Sequence, residues 1–420
     1  MKKKIACLAG LGIMSAATAS GSGYRIPEQS INGVALSNAY IAHTDGPDTA
    51  YYNPANMGWQ EDRWQLEASA SYINLPGIDY KPAASDNVDT SKTENIVIPM
   101  LHAMSPDYNN FRFGFSFLVP YGLSKRWHDA FPRTFAEEFT LNILEANPSV
   151  SYTFRDRFAL AAGARLLHST GNALKNSGFI APGVHVSSDM DGDATSFGYN
   201  AALTVKPARN WVIAATYRSK AELDLSGDAV LTASHPLAGS GAYRGEVDVT
   251  APAPAVFTLG TSYTFARTTV ELTWDRTYWS IHEDLDFDFA SPLSANPYLD
   301  AIMFAAFEAP KTKNWRNSNA YRLGVTHKYT DRFTAMVGLA YDETPIPDDT
   351  LGFELPDADA RLFSFGGRYR LDDNLEVGGA YLLDLKKTRR IDDPDNPSHI
   401  NGKFEDAGAH VVTLGLVYKF

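Results

Sequence analysis

Four arginines in the chain stand at positions where they could bind a negatively charged group. Each lies in a segment that alternates between apolar and polar residues, and each falls on the side opposite the aromatic and aliphatic residues. An arginine guanidinium can bind a carboxylate through two parallel hydrogen bonds. The alternative is that each arginine pairs with an acidic residue that faces the same way. The four are Arg165, Arg218, Arg322 and Arg368.

The segments that carry these arginines repeat with a period of two, which is typical of β-strands. The last one places Leu414, Leu416 and Tyr418 on one face and ends on Phe420. A soluble sheet would bury so apolar a face, whereas a transmembrane barrel turns it to lipid and places aromatic residues at the membrane rim. The predicted strands are 64–73, 94–103, 111–119, 149–154, 158–168, 196–206, 211–225, 256–265, 268–288, 320–329, 333–342, 362–371, 375–386 and 410–420.

The connections between these strands alternate between short turns, such as 155–157 and 266–267, and long loops. Short periplasmic turns, long external loops and an even strand number are characteristic of bacterial outer-membrane barrels. We therefore predict an all-β fold, a transmembrane antiparallel β-barrel of about 14 strands over residues 63–420. The predicted long loops are 74–93, 120–148, 169–195, 226–255, 289–319, 343–361 and 387–409.

The start of the chain indicates export. Three lysines at 2–4 precede a short apolar run and the small residues Ala17 and Ala19, which is the pattern of a cleaved signal peptide over residues 1–19. Its loss removes three of the 37 basic residues and leaves 34 against 49 acidic ones, a charge of −15 that argues against a nucleic-acid partner. The only cysteine, Cys7, lies within this peptide, so the exported chain has no cysteine metal site.

Residues 20–62 do not alternate and have too little apolar content to fold alone. They include the run Asn53-Pro54-Ala55. One interpretation is a disordered periplasmic tail. The other is a hatch inside the barrel, because the lumen of about fourteen strands is too wide for wall side chains to fill.

Two of the long loops contain apolar residues at helical spacing, and Thr134 and Glu137 have the spacing of a capping box. These residues form either a small core among the loops or an apolar surface that receives a ligand outside the cell. The apolar candidates are Phe135, Phe139, Ile302, Met303 and Phe307.

Other function classes have weaker support in the sequence. A hydrolase would need a nucleophile and a base, yet the ten histidines form no His-x-x-x-His pair and no Gly-x-Ser-x-Gly motif occurs. We therefore predict no enzymatic activity and no cofactor. We also predict no resident metal, because the acidic run 189–193 departs from a calcium loop. An open porin would have polar loops. An adhesin remains an alternative, because long external loops can also bind other surfaces.

An ordered series of short motifs extends over nearly the whole exported chain. Its motifs are Gly23-Tyr24, Glu28-Gln29-Ser30, Gly33, Asn38-Ala39-Tyr40, Asn53-Pro54-Ala55, Pro120-Tyr121-Gly122-Leu123, Asn147-Pro148-Ser149-Val150, Gly198-Tyr199-Asn200, Tyr217-Arg218-Ser219-Lys220, Gly227, Trp279-Ser280, the run 341–347 and Leu355-Pro356-Asp357. The series resembles the long-chain fatty acid transporter (FadL) family of outer-membrane proteins, which includes aromatic-hydrocarbon uptake channels.

The resemblance implies a monomeric barrel with an N-terminal hatch, surrounded by outer-membrane lipid and lipopolysaccharide. It implies passive capture of a ligand at external loops, transfer to a lumen pocket and hatch-gated release through the wall. The exit would lie beside the third strand, which contains Gly114 and ends at Pro120. The implied ligand is a long-chain fatty acid, and the alternative is an aromatic or alkane hydrocarbon. For a fatty acid, our hypothesis from the residues is that one or two of the four arginines hold the carboxylate.

Overall fold

In a computed structural model of the chain, residues 23–181, 183–290 and 292–420 are described, without the side chains of 176–181. The predicted signal peptide, 1–19, lies outside these residues. Fourteen antiparallel strands of the described chain form a closed ring, because the first strand pairs with the last as well as with the second. The wall strands are β1 Gln65–Leu75, β2 Glu94–Met104, β3 Phe111–Arg126, β4 Glu138–Phe154, β5 Phe158–Ala181, β6 Val184–Ala208, β7 Trp211–Arg218, β8 Val256–Phe265, β9 Thr268–Thr277, β10 Ser318–Lys328, β11 Phe333–Asp342, β12 Ala360–Arg370, β13 Leu375–Lys386 and β14 Gly408–Lys419.

The remaining elements lie inside the ring or in the external loops. The helices are α1 Ile31–Ala35, α2 Thr49–Tyr52, α3 Ala130–Phe135 and α4 Pro297–Met303, with 3₁₀ turns at Pro54–Trp59, Trp279–Ile281 and Asp348–Thr350 and a π turn at Phe304–Glu308. Within the described ranges, no helix has the length and apolar content needed to span a bilayer. The loop strands are Asp79–Pro82, Asp89–Thr90, Ala221–His235, Gly239–Ala253, Asp284–Leu285, Phe287–Phe289, Lys311–Thr312, Arg389–Ile391 and Gly402–Glu405.

The wall confirms the predicted barrel and its strand parity. Leu160, Leu272 and Leu414 are each half to two-thirds exposed on the outside of the ring, whereas Arg165 is buried on the inside. Charged residues on the lipid face near mid-membrane would cost roughly 2–4 kcal/mol each, which is why the alternation is consistent around the ring.

The loop expected at 120–148 is wrong in its bounds, because β3 continues to Arg126 and β4 begins at Glu138. Three further predicted boundaries are also wrong. The loop expected at 169–195 is instead the paired outer half of β5 and β6. The strand expected at 211–225 ends at Arg218, and Ala221–His235 leaves the ring to pair with the outer half of β6. The strand expected at 268–288 ends at Thr277. Alternation continues through all three regions, and it does not reveal which neighbour a strand pairs with.

Candidate functional site

The N-terminal segment, residues 23–62, packs against the inner face of the wall. Three wall glycines leave room for α1: a Cβ atom on Gly338 would lie within 2.5 Å of the Leu36 carbonyl oxygen, and one on Gly366 within 2.6 Å of the Ala35 Cβ. At Gly378 the neighbour is Ile31, at 3.2 Å. The wall therefore lacks side chains where the segment passes closest to it.

The N-terminal segment is folded around the buried carboxylate of Asp48. The hydroxyl of Ser30 caps α1 by accepting from the Gly33 N–H, and it donates to Asp48 Oδ2 at 2.7 Å. The Asn32 amide and the Tyr40 hydroxyl also donate to this carboxylate, each at 3.1 Å. These polar contacts order a segment that has too little apolar surface to fold alone.

The run Asn53-Pro54-Ala55 begins the 3₁₀ turn at Pro54–Trp59 and contacts the wall. The Asn53 side chain accepts from the Ala55 N–H at 3.1 Å and donates to Thr204 Oγ1 of β6 at 2.8 Å. Ala55 is fully buried against Ala159 of β5 and its neighbour in β6. The three predicted hatch residues thus connect the segment to β5 and β6.

Two of the four predicted arginines share one acid inside the barrel. Arg165 and Arg218 lie 2.7 Å and 2.9 Å from the two carboxylate oxygens of Glu145, which is fully buried in β4. Arg218 also donates to the Tyr51 carbonyl of the N-terminal segment at 2.7 Å and stacks 3.8 Å above the Tyr51 ring. Arg165 donates to the Ser219 carbonyl at 2.6 Å.

The other two arginines are held in the same way. Arg322 pairs with Asp275 and Asp342 at 3.1 Å and 3.3 Å and donates to the Ser37 carbonyl. Arg368 pairs with Glu67 and Glu376 at 3.1 Å and 2.6 Å and donates to the Asp45 carbonyl. All four arginines therefore bind wall acids, and three of them also bind the backbone of the segment. This is the alternative considered for them, and their contacts offer no support for a head-group site.

An apolar cavity lies on the external side of the N-terminal segment. Its volume is about 90 Å³, below the range of roughly 300–1,000 Å³ for small-molecule pockets, so a bound ligand requires its lining to move apart. Tyr24 of the segment contributes to its lining, and wall strands, the hairpin 221–253 and the loops 278–317 and 343–359 supply the rest. We call this space the external cavity; its apolar lining includes Leu123, Phe139, Leu141, Leu225, Val247, Val249, Leu285, Phe287 and Trp315.

The predicted external apolar residues form a core among the loops. Met303 and Phe307 are buried in a cluster that also contains Val247 and Phe287, and Ile302 packs against it. Phe139 lines the external cavity. Phe135 stacks on Phe353 at a ring distance of 5.7 Å. Of these five residues, only Phe139 fits the predicted ligand-receiving surface, because it alone lines the external cavity.

The predicted capping box at Thr134 is wrong. Thr134 lies inside α3, where its hydroxyl donates to the Ala130 carbonyl, and the N-cap position is occupied by Asp129. The apolar residues that follow, from Phe139 onward, belong to β4. Helical spacing and strand spacing coincide over so few residues, which explains the misassignment.

The polar end of the external cavity is built from three loop residues. Lys313 forms an ion pair with Glu354, and His282 lies beside them. Burial lowers the pKa of His282 to about 3, and the Lys313 ammonium acts in the same direction, so the imidazole is neutral at neutral pH. Burial opposes ionisation of Glu354, but the Lys313 ammonium outweighs it and holds the pKa of this carboxyl below its ordinary value.

Sequence reasoning missed Lys313. It lies in a loop without alternation, so strand parity could not assign it to the inside or the outside. Its approach to Glu354 depends on how two long loops fold over the barrel, and no local signal in the sequence reports that contact.

The wall is interrupted between β2 and β3. Within the described residues, their ladder runs from the Met104–Gly114 pair only as far as Leu101–Phe117. The strands meet again outside at a bridge between Ser91 and Trp127. Residues 94–100 of β2 and 118–125 of β3 therefore do not pair with each other, and we call this interruption the wall gap.

The N-terminal segment takes the place of β2 along the wall gap. The Ile26 N–H donates to the Pro120 carbonyl at 2.8 Å, and the Gly122 N–H donates to the Tyr24 carbonyl at 2.9 Å. Pro120 lies at a shift in the β3–β4 register between Leu118 and Tyr121. The predicted break at Pro120 thus coincides with the wall gap.

Gly114 lies outside the wall gap. It pairs regularly with Met104 and with Ser149. A Cβ atom there would lie 2.7 Å from the Met57 sulfur and 2.7 Å from the Ala50 Cβ. Its place at the exit is therefore not supported; it makes room for the N-terminal segment.

Comparisons with known proteins are consistent with this architecture. Residues 12–420 match the profile of a family described as outer membrane protein transport protein (OMPP1/FadL/TodX). The chain is 25% identical to the 47 kDa outer membrane protein of Pasteurella multocida, covering 89% of this chain and 90% of the relative. It is 25% identical to the long-chain fatty acid transport protein of Escherichia coli K12, covering 86% and 87%.

Two solved structures share the fold. A FadL homologue of Pseudomonas aeruginosa superposes with a TM-score of 0.78 at 20% identity, covering 95% of this chain and all of the other. The Pseudomonas putida toluene transporter TodX superposes with a TM-score of 0.75 at 19% identity, covering 94% and 99%. At these identities the two structures establish the fold and leave the ligand open.

Proposed function

The chain belongs to the outer membrane protein transport protein (OMPP1/FadL/TodX) family, and from this membership we propose that it imports long-chain fatty acids passively across the outer membrane. The barrel acts as a monomer among outer-membrane lipid and lipopolysaccharide, after removal of residues 1–19. Residues 20–62 are its hatch, and the wall strands are its body. Curated relatives named long-chain fatty acid transport protein support this ligand class.

The observation that carries the proposal is the position of the external cavity beside the wall gap. Tyr24 lines the cavity, and its carbonyl accepts from Gly122 of β3, which runs along the gap. A ligand in the cavity is thus separated from the gap by the first residues of the segment. Because an apolar chain is more stable in lipid than in water, exit through the wall is favoured over passage to the periplasm.

We assign the head group to Lys313. It is the only lysine or arginine among the described residues that line the external cavity. Its partner Glu354 leaves the pair without net charge, and an incoming carboxylate competes with Glu354 for the ammonium. The four arginines, of which one or two are predicted from the sequence to hold the head group, are already bound to wall acids, and three of them also bind the N-terminal segment.

Replacement of Lys313 is expected to weaken fatty acid binding. In Lys313→Met, radiolabelled oleate should bind the purified protein about 10- to 100-fold more weakly, because a hydrogen bond to a charged group contributes roughly 1.5–3 kcal/mol. The matched control is Lys81→Met, which removes an ion pair with Glu405 in an external sheet, away from the cavity. Equilibrium dialysis with detergent-exchanged protein measures both.

The alternative ligand class predicts a different pattern. An aromatic or alkane hydrocarbon has no charge, so toluene would compete with oleate and bind Lys313→Met as well as the unmodified protein. Equal oleate affinity in Lys313→Met and Lys81→Met would refute the assignment of the head group. Absence of binding, together with a large ion conductance in planar bilayers, would refute the hatch and indicate an open porin.

Movement of the N-terminal segment is expected to be required for release. Arg25 and Tyr121 form an antiparallel bridge in which the hydrogen bonds are made by the residues on either side. The Cα atoms of such a non-hydrogen-bonded pair lie roughly 4.5 Å apart, a separation that allows a disulfide. Oxidised Arg25→Cys/Tyr121→Cys should stop oleate transfer to acceptor vesicles, and reduction should restore it. The control pair Ser71→Cys/Thr413→Cys joins β1 to β14 within the wall. Transfer that continues in the oxidised first pair would exclude this gate.

A further inference from the structure

The side chain of Gln29 occupies an unusual place at the wall gap. It is fully buried. Its Oε1 accepts from the Val119 N–H at 3.1 Å, and its Nε2 donates to the Val119 carbonyl at 2.7 Å. One amide side chain thus satisfies both backbone groups of a β3 residue that has no partner on β2 among the described strands.

The position of Gln29 is fixed from three sides. Its own backbone N–H donates to the Tyr52 hydroxyl at 2.7 Å, and its carbonyl lies 2.8 Å from His102 Nε2 of β2. The other nitrogen of His102 contacts the Ser116 hydroxyl of β3 at 2.9 Å. Gln29 is therefore linked both to β2 and to β3 at the lower edge of the wall gap.

We propose that the Gln29 side-chain amide acts as a removable substitute for a neighbouring strand, and that it holds the wall gap closed until the N-terminal segment moves. The inference deepens the proposed function, on which it rests, because closure of the gap matters only for a ligand that leaves through the wall. Gln29 is a positioning residue, since it contacts the wall and not the external cavity.

The physical reason is the cost of unpaired backbone groups in an apolar wall. Val119 is buried in the same apolar cluster as Leu118, Ile98 and Met100, so its N–H and carbonyl have little access to water when Gln29 is absent. Leaving such a group unsatisfied costs about 1–3 kcal/mol. The two hydrogen bonds between Gln29 and Val119 therefore favour the closed state. Both break together when the segment withdraws, whereas a continuous ladder of strand hydrogen bonds could not separate in this way.

Gln29→Met tests the inference, because methionine has a similar volume and cannot form the amide pair. Hydrogen–deuterium exchange of the peptide containing Val119 should become about tenfold faster, as expected for the loss of one net hydrogen bond. Transfer of preloaded oleate to acceptor vesicles should also accelerate. The matched control is the same substitution at another glutamine of the segment, Gln60→Met. It removes the hydrogen bonds of the Gln60 side chain to the Gly46 N–H and the Thr44 carbonyl.

The possible outcomes separate the inference from the function on which it rests. Unchanged exchange at Val119 in Gln29→Met, or faster exchange without faster transfer, overturns the inference. If neither the unmodified protein nor Gln29→Met binds oleate, the proposed function fails, and exchange at Val119 alone decides whether the amide closes the gap. Should Gln29→Met fail to fold, Gln29→Asn, whose shorter side chain cannot reach Val119, provides the same measurements.

Discussion

Glu145→Gln is expected to destabilise the barrel by about 3–5 kcal/mol, because it removes the only negative charge that Arg165 and Arg218 share. Glutamine keeps the shape of the side chain but leaves two guanidinium groups facing each other away from water. The Arg165 side chain is fully buried and the Arg218 side chain is only 14% exposed, so solvent screens this repulsion little. Unfolding by guanidinium chloride in lipid vesicles, followed by tryptophan fluorescence, measures the loss.

The matched control is Glu222→Gln at the exposed pair between Lys220 and Glu222, where both side chains are more than half exposed. An exposed pair contributes about 0–1 kcal/mol, so this variant should unfold close to the unmodified protein. Equal midpoints for the two variants would show that the buried cluster contributes no more than a surface pair.

Gly338→Ala is expected to displace the N-terminal segment and open the lumen. The new methyl group would overlap the backbone of Leu36, and backbone cannot rotate away as the end of a side chain can. We expect a barrel that still folds, at a cost of about 1–3 kcal/mol, and that conducts ions far more than the unmodified protein in planar bilayers.

Gly379→Ala serves as the control for Gly338→Ala. Gly379 lies in β13 on the outer face of the wall, and a methyl group there meets the flexible end of Leu414. Conductance should remain at the unmodified level. If Gly338→Ala also conducts no more than the unmodified protein, the position of α1 does not depend on the absence of a side chain at residue 338.

Local alternation was enough to predict the wall, and it failed where long-range pairing decides the structure. Arg165 and Arg322 could be placed inside because their own neighbours alternate. Their partners Glu145 and Asp275 could not be identified, since each belongs to another strand. Alternation does not identify a neighbouring strand, so the sequence alone does not distinguish the outer hairpin of β5 and β6 from a loop.

The candidate site was less predictable than the wall for the same reason. Pro120 could be assigned to a break because proline cannot donate to a ladder. Lys313 meets the external cavity only through the folding of long loops. Gln29 appeared within a recognisable motif, yet its contact with Val119 joins residues 90 positions apart and has no periodic signature.

The contacts that hold the N-terminal segment have a consequence for how freely its sequence can diverge. Arg218, Arg322 and Arg368 bind carbonyl oxygens of the segment, and Glu271 accepts three consecutive backbone N–H groups at 2.6–2.8 Å. Every residue type presents a backbone carbonyl, and every type except proline presents a backbone N–H. These main-chain contacts therefore survive a change of side chain at 42, 43 or 45, so the wall can continue to hold the segment while part of its sequence diverges over generations.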